Sequence, residues 1–418
     1  MTDVLMQDQV IIRPLALRYR ALSLTEENQL HKRRAYAAND LKGGRPFVSI
    51  HELPMHEMNY QGILDLHCTD PLAREMERFF RVALYRWDYF RVDTILEDAY
   101  YLRRAYTVTG GLPKIQEETR AIDGKNHIIS HAYIDVLPDE ASLEKITKIT
   151  VTPHPELDKS RVEKAEALLN GIMPVRLTGL HYDYFAPWDQ LARVHGVENL
   201  LFDLIDRPEF MHDMMQRYCD VHFDFLDQME QHGLLGSSHH FDLHCTASHI
   251  SSLPAEKEHF TTRDIWLRGT AQIFGSCSPM TYKEFELDHM LPLISRFGCV
   301  YYGCCEPLEH VIPYLKALPN IRKIGVSPFA NLPMCAEQIK GDYVLSRKAH
   351  PALVAGTHFS AEQVKAEIMD TILVCETHGC SFDYTLKDIS TVCYHPERIF
   401  EWSRIVTETL DEVYGKDA

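Results

Sequence analysis

The sequence predicts an α/β protein built on a parallel sheet, and three observations carry that prediction. Through the C-terminal half, short apolar runs rich in β-branched and aromatic residues alternate with helix-like stretches, the pattern of successive strand–helix units. One such run, Val300-Tyr301-Tyr302, ends in Gly303-Cys304-Cys305-Glu306, reactive side chains at the carboxyl end of a strand, where a sheet of this class carries its chemistry. The chain has 418 residues, 45% of them hydrophobic, enough for one large core and within reach of a barrel with insertions.

The elements follow in chain order. Residues 1–45 read as an N-terminal helical extension and residues 46–418 as the sheet-bearing body. The turn signal Gly43-Gly44-Arg45-Pro46 leads into a first strand, Phe47–His51. Asp70–Tyr89 is a helix. Arg104–Pro155 is polar, broken by Gly110-Gly111, and reads as an insertion or a lid. Met173–Leu180 is a strand leading into Tyr182-Asp183-Tyr184. Pro208–Gln231 is a helix whose Met211, Met214, Tyr218, Val221 and Phe225 recur at spacings of three and four, one apolar stripe facing the core. It stops at His232-Gly233, a C′ glycine. Beyond it, strands are expected at Ile265–Gln272, Cys299–Cys304, Lys323–Pro328, Tyr343–Arg347 and Ser381–Leu386. Helices are expected at Pro279–Arg296, Leu308–Ala317, Cys335–Ile339, Ser360–His378 and Pro396–Tyr414. Ser360 with Gln363 forms a capping-box pattern, and Pro396 suits a first helical turn.

Formal charge is −17, so the surface repels nucleic acid and acidic membranes. No long uncharged apolar run is present, and Met1 to Arg20 shows no leader-type apolar stretch; a cytoplasmic protein is expected. Eleven cysteines, an odd number, fit free thiols in a reducing compartment better than a disulfide scaffold.

Candidate site residues cluster at strand ends. Cys304 or Cys305 with Glu306 supplies a thiolate and a carboxylate for a metal or a nucleophile. The same residues read equally as a buried thiol pair with Glu306 capping the next helix. On a strand, neighbouring cysteines point to opposite faces, so one of them at most should face a given pocket. His239-His240-Phe241-Asp242-Leu243-His244-Cys245 holds three histidines and a cysteine, a metal or proton-transfer cluster or else a solvated polar loop. Tyr182 and Asp183 follow a strand. Glu52 and Asp93 are candidate pocket carboxylates, and the basic pair Arg347-Lys348 suits a carboxylate or phosphate. Lys387-Asp388 reads as an internal ion pair. Asp-Leu-His-Cys-Thr occurs at Asp65–Thr69 and again at Asp242–Thr246. The second copy matches only the first half of the Asp-x-His-x-x-Gly corrinoid-binding signature, with Ala247 where glycine belongs.

The motifs Gly303-Cys304-Cys305-Glu306-Pro307-Leu308, Pro319–Pro328, Lys387-Asp388-Ile389-Ser390-Thr391-Val392, Asp206–His212, Ser278-Pro279-Met280 and His67-Cys68-Thr69-Asp70-Pro71 resemble, in that arrangement, the uroporphyrinogen decarboxylase-like superfamily. Within it they are most similar to the anaerobe-type branch near the corrinoid-linked methyltransferases. The resemblance runs from about His31 to Tyr414. It implies a (β/α)8 TIM barrel with its site at the carboxyl ends of the strands. True decarboxylases of the superfamily resemble one another in an Arg-rich N-terminal loop. Here that loop reads Ile50-His51-Glu52-Leu53-Pro54-Met55-His56-Glu57-Met58, with two glutamates and no arginine.

The implied activity is therefore that of a methyltransferase component. It would move a methyl group between a small substrate, an aryl methyl ether or a thiol, and a corrinoid carried by a partner protein. A homodimer is implied as well. The methyltransferase relatives bind zinc, which would put Cys304 or Cys305 and Cys380 on the metal, with Glu306 or His244 replacing the family histidine, absent at Tyr302-Gly303. Two alternatives stay open: a carboxy-lyase, and a non-catalytic binding barrel.

Overall fold

The structure, a computed structural model, describes residues 3–120, 129–240 and 246–416. Two helices, Asp3–Ser23 and Glu26–Asn39, precede the first strand. In chain order the strands are β1 (Phe47–Ile50), β2 (Tyr100–Arg103), β3 (Tyr106–Gly111), β4 (Glu117–Arg120), β5 (Ser130–Tyr133), β6 (Thr147–Pro153), β7 (Val175–Thr178), β8 (Tyr182–Phe185), β9 (Trp266–Gly269), β10 (Cys299–Tyr302), β11 (Ile321–Val326), β12 (Val344–Ala349) and β13 (Ser381–Leu386).

Seven of them form one parallel sheet in the order β1-β13-β12-β11-β10-β9-β8. The expected barrel is met in part: among the described residues the ladder stops at β1 and β8, and β2 pairs with β7 as a separate parallel pair. The sheet is nevertheless curled. In a flat sheet β10 and β13, three positions apart, would stand about 14 Å apart, yet side chains from their carboxyl ends meet, as shown below. The segment between Arg104 and Pro155 carries two antiparallel pairs, β3–β6 and β4–β5.

Local chemistry explains most boundaries. Asp70 caps the helix Pro71–Tyr89 by accepting from the Leu72 and Ala73 amides, with Pro71 in the first turn. Ser360 accepts from the Gln363 amide at the head of Ala361–His378, and Gly379 ends that helix in the left-handed conformation at φ 66°. Met211 and Met214 of Pro208–Gln231 are fully buried, as their spacing predicts. The expected helix Pro279–Arg296 is divided instead: Pro279–Tyr282, a π-turn at Lys283–Leu287, then Asp288–Arg296 containing Pro292. A proline lacks the amide and crowds the preceding turn, which accounts for the irregularity.

The outer face of the sheet is apolar: Val48, Leu267, Val300, Ile324, Leu345 and Phe382 pack into the main core under the helices. The concave face is polar. Register places Tyr184, Arg268, Tyr301, Lys323, Ser346, Lys348, Asp383, Thr385 and Ser49 there. These groups satisfy one another. Lys323 Nζ donates to Asp383 Oδ2 at 2.7 Å, Ser346 Oγ donates to Asp383 Oδ1 at 2.7 Å, and Tyr301 OH lies 3.0 Å from Ser346 Oγ. Thr246 closes the set, its hydroxyl donating to Asp383 at 3.1 Å.

Candidate functional site

At the carboxyl ends of the strands this polar face rises to a thiol. β10 ends at Tyr302, and Gly303 turns the chain with φ 101°. A Cβ there would lie 2.5 Å from Leu308 Cδ1, so glycine is required by both conformation and space. Past that turn the strand alternation no longer holds, and Cys304 and Cys305 bring their sulfurs within 3.6 Å of each other. Glu306 fixes the turn from beneath: Oε2 accepts from the Cys304 amide at 2.9 Å, while Oε1 accepts from Thr270 Oγ1 at 2.6 Å and from Tyr282 OH at 3.3 Å.

Cys304 Sγ accepts from Arg268 Nη2 and from Lys387 Nζ, each at 3.1 Å. The thiol is held well below its ordinary pKa, by hydrogen bonding with Cys305 first and then by the charges of Arg268, Lys387 and Lys348 acting against burial. Cys305 is pushed the other way by the same hydrogen bond and by burial, so the pair is one thiolate and one thiol. Lys348 Nζ donates to Tyr301 OH at 3.1 Å. It lies across Gly325, where an added Cβ would come within 2.8 Å of it.

Two carboxyl groups complete the mouth. Glu52 Oε2 is 3.2 Å, and Asp388 Oδ2 3.3 Å, from Lys387 Nζ. Asp388 Oδ2 also lies 2.8 Å from Cys305 Sγ. Burial, and then a hydrogen bond with Glu52, push Asp388 up to about 6 against the pull of Lys387. Two carboxyl groups in contact cannot both ionise freely, so Asp388 keeps its proton to a higher pH than an ordinary aspartate. Both residues hold positive φ, 49° at Glu52 and 57° at Asp388. Strain of that kind in non-glycine residues persists where the surroundings impose it, characteristically at functional sites.

Of the sequence-predicted residues, the structure brings together Cys304, Cys305, Glu52, Lys348 and, beneath them, Glu306. It separates the other described ones. Cys380 precedes β13 while Lys387 follows it, so Cys380 lies at the amino end of the sheet, about 20 Å of strand from the mouth. There Cys380 Sγ lies 3.5 Å from Ala336 O. Glu306 spends both oxygens on hydrogen bonds inside the turn, and it caps no helix, since the next one begins at Ile312. His244 falls outside the described residues.

Arg347 faces outward, donating to Ser327 O at 2.6 Å, because alternation allows only one of Arg347 and Lys348 onto the concave face. Asp183 also faces outward and lies 2.7 Å from His222 Nε2. Tyr182 is on the concave side but at the start of β8, packed with Trp266 and Cys299 at the amino end. Asp93 is locked beside β1 by Arg34 at 2.7 Å, Arg45 at 3.2 Å and the Val48 amide at 2.7 Å.

Among the described residues, which leave out His244, the expected zinc donors do not come together at one point. Among the described residues no group of three or more His, Cys, Asp or Glu side chains is arranged to hold a metal ion. Three cations around Cys304 also oppose a further positive charge. The first copy of the Asp-Leu-His-Cys-Thr repeat is structural: Glu77 Oε2 accepts from the His67 and Cys68 amides, both at 2.8 Å.

Residues that sequence reasoning passed over are Arg268 and Tyr184, with Lys387 and Asp388 read only as an ion pair. Arg268 is almost fully buried and stacks toward Tyr184, 5.1 Å from its ring centre. The available signal was a lone arginine inside the apolar run Trp266-Leu267-Arg268-Gly269. Among the described residues no helix is long and apolar enough to cross a membrane.

No family model matches the sequence, and no curated protein matches it. Among solved structures the chain is similar to a methyltransferase from Methanosarcina mazei, with 11% sequence identity and a TM-score of 0.49, over 92% of this chain and 99% of that one.

Proposed function

We propose that this chain is a methyltransferase component with the (β/α)8 architecture of the uroporphyrinogen decarboxylase-like superfamily. It would act on an aryl methyl ether together with a separate corrinoid protein. The observation that supports this reading is the carboxyl pair Glu52–Asp388, with Asp388 raised by burial and by Glu52, beside the Lys387 ammonium at the carboxyl end of the sheet. Demethylating an aryl ether breaks the methyl–oxygen bond and leaves the electron pair on oxygen, so the leaving phenolate needs positive charge and one proton. Lys387 and Arg268 supply the field, and Asp388, about half protonated near pH 6, supplies the proton. When present, the corrinoid supplies the nucleophile that takes the methyl group. A thiol substrate fits less well, because ionising it calls for a metal site that the donors among the described residues do not form.

The test is release of free phenol from methoxylated phenols in the presence of cob(I)alamin. Release that falls about 100-fold in Asp388→Asn supports the reading. A second reading, a carboxy-lyase, is favoured by one observation: Arg268, Lys348 and Lys387 converge on Cys304, as cations that hold a substrate carboxylate would. Loss of CO2 from uroporphyrinogen without phenol release would favour it. Silence in both assays would favour a binding barrel without chemistry.

A further inference from the structure

Arg86 is a buried charge without a counter-ion. It lies on the helix Pro71–Tyr89 and is only 5% exposed. Its Nη2 donates to the carbonyl of Ile50, the last residue of β1, its Nε has no partner, and no described carboxylate pairs with it. Burying a guanidinium without an anion is costly, and proteins retain such groups where something else brings the charge. The neighbouring arginines differ: Arg81 is paired with Glu77 at 2.8 Å, and Arg78 is exposed.

Arg86 lines a cavity of about 550 Å³ between that helix and the segment that follows β1. Leu53, Met55, Leu64, Leu66 and Val82 give the apolar part of its wall, and Arg78, Arg81, His56 and Asn59 line it as well. Glu52 forms one side, and its carboxylate lies 3.2 Å from Lys387 Nζ, which in turn touches Cys304 at 3.1 Å. The cavity therefore lies beside the mouth, with Glu52 on one side and an excess of positive charge from Arg78, Arg81 and Arg86, of which Arg86 is the buried one. Its volume is that of a small-ligand site.

We propose that this cavity binds a small, mainly apolar monoanion, an aromatic carboxylate, with the carboxylate on Arg86 and the ring against Leu53, Leu64 and Val82. The end of the ring opposite the carboxylate then points past Glu52 toward Lys387. Taking this ligand as the substrate rests on the function proposed above; the binding site itself does not.

Benzoate is the probe, with benzamide as its neutral counterpart, read by calorimetric titration and by Tm. Benzoate should bind saturably and raise Tm while benzamide does neither. Leu64→Trp should abolish binding by filling the cavity without touching a charge. Arg86→Met should weaken benzoate binding about 30-fold or more, and its Tm without ligand should equal or exceed that of the wild type, because an uncompensated charge has been removed. If Arg86→Met does not fold, Leu64→Trp alone decides. No benzoate binding, or equal binding by Leu64→Trp, overturns the proposal. Phenol release and benzoate binding are separate readouts, so either reading can fall without the other.

Discussion

Cys304 Sγ and Lys387 Nζ stand 3.1 Å apart although two strands, β11 and β12, lie between their own in the sheet. Curling of the sheet closes that gap, and Arg268 approaches the same sulfur from β9 at the same distance. A thiol held by two cationic donors in a buried setting is ionised at neutral pH.

The ultraviolet absorbance of the thiolate should therefore persist in wild-type protein well below the pH at which an ordinary cysteine loses it, and should be missing from Cys304→Ser. Lys387→Met keeps the length of the side chain and removes the charge, so it should raise the titration midpoint by about 1 unit or more. The sign for stability follows. Between the depressed folded pKa and the ordinary unfolded value, the unfolded chain binds the extra proton, so this group makes stability rise with pH and its contribution is lost as pH falls through the folded pKa. Denaturant titrations of wild type and Cys304→Ser should differ in that slope. Equal slopes would contradict an ionised Cys304.

Asp388 works in the opposite sense. Its pKa is raised to about 6, so its proton is present below that pH and lost above it. The rate of phenol release should fall as pH rises through about 6, and Asp388→Asn should remove that limb along with most of the rate. Asp189 is also raised to about 6, chiefly by burial, and accepts hydrogen bonds from Gln272 and the Ile273 amide. Asp189→Asn serves as the control: if it, and not Asp388→Asn, abolishes the limb, Asp388 is not the acid.

How far this site was legible in the sequence depended on where each residue sits relative to a strand. Ser381–Leu386 and Pro208–Gln231 match the observed elements because periodicity alone defines them. Adjacent pairs were less secure. Arg347-Lys348 and Tyr182-Asp183 read as pairs, yet a period of two sends Arg347 and Asp183 outward, a distinction the sequence already contains. The reverse held at Cys304-Cys305: alternation predicts divergence, but Gly303 ends the strand and the two sulfurs converge. Cys380 was misplaced for a different reason. Motif position gives distance along the chain but not which end of the sheet a residue occupies. Asp93 looked like a pocket carboxylate because its partners Arg34 and Arg45 lie far off in sequence.

Inside the curled sheet, Lys323 and Asp383 form a pair at 2.7 Å with each side chain 1% exposed. Removing one partner strands the other charge away from water. Lys323→Met and Asp383→Asn should each cost about 3–5 kcal/mol, whereas the double variant should cost much less than their sum. Denaturant unfolding of the four proteins gives the coupling. Additive losses would mean that Thr246 and Ser346, and not the ion pair, provide the stabilisation.

Cys380→Ser separates the zinc arrangement implied by superfamily resemblance from the site that the fold assembles. If Cys380 were a ligand alongside Cys304, its loss would release metal and abolish turnover, as loss of one of few thiolate ligands does. In the structure Cys380 lies at the amino end of β13, beside the Ala336 carbonyl, while every group around Cys304 belongs to the carboxyl end. The substitution swaps one small side chain for another at a nearly buried position. Stability should change by about 1 kcal/mol or less, and phenol release should stay within about twofold of wild type. Metal analysis of protein purified without chelator or affinity-tag histidines completes the comparison. Stoichiometric zinc in the wild type that disappears with Cys380→Ser, together with activity, would require the two ends of β13 to serve one centre, which a strand of this length does not permit.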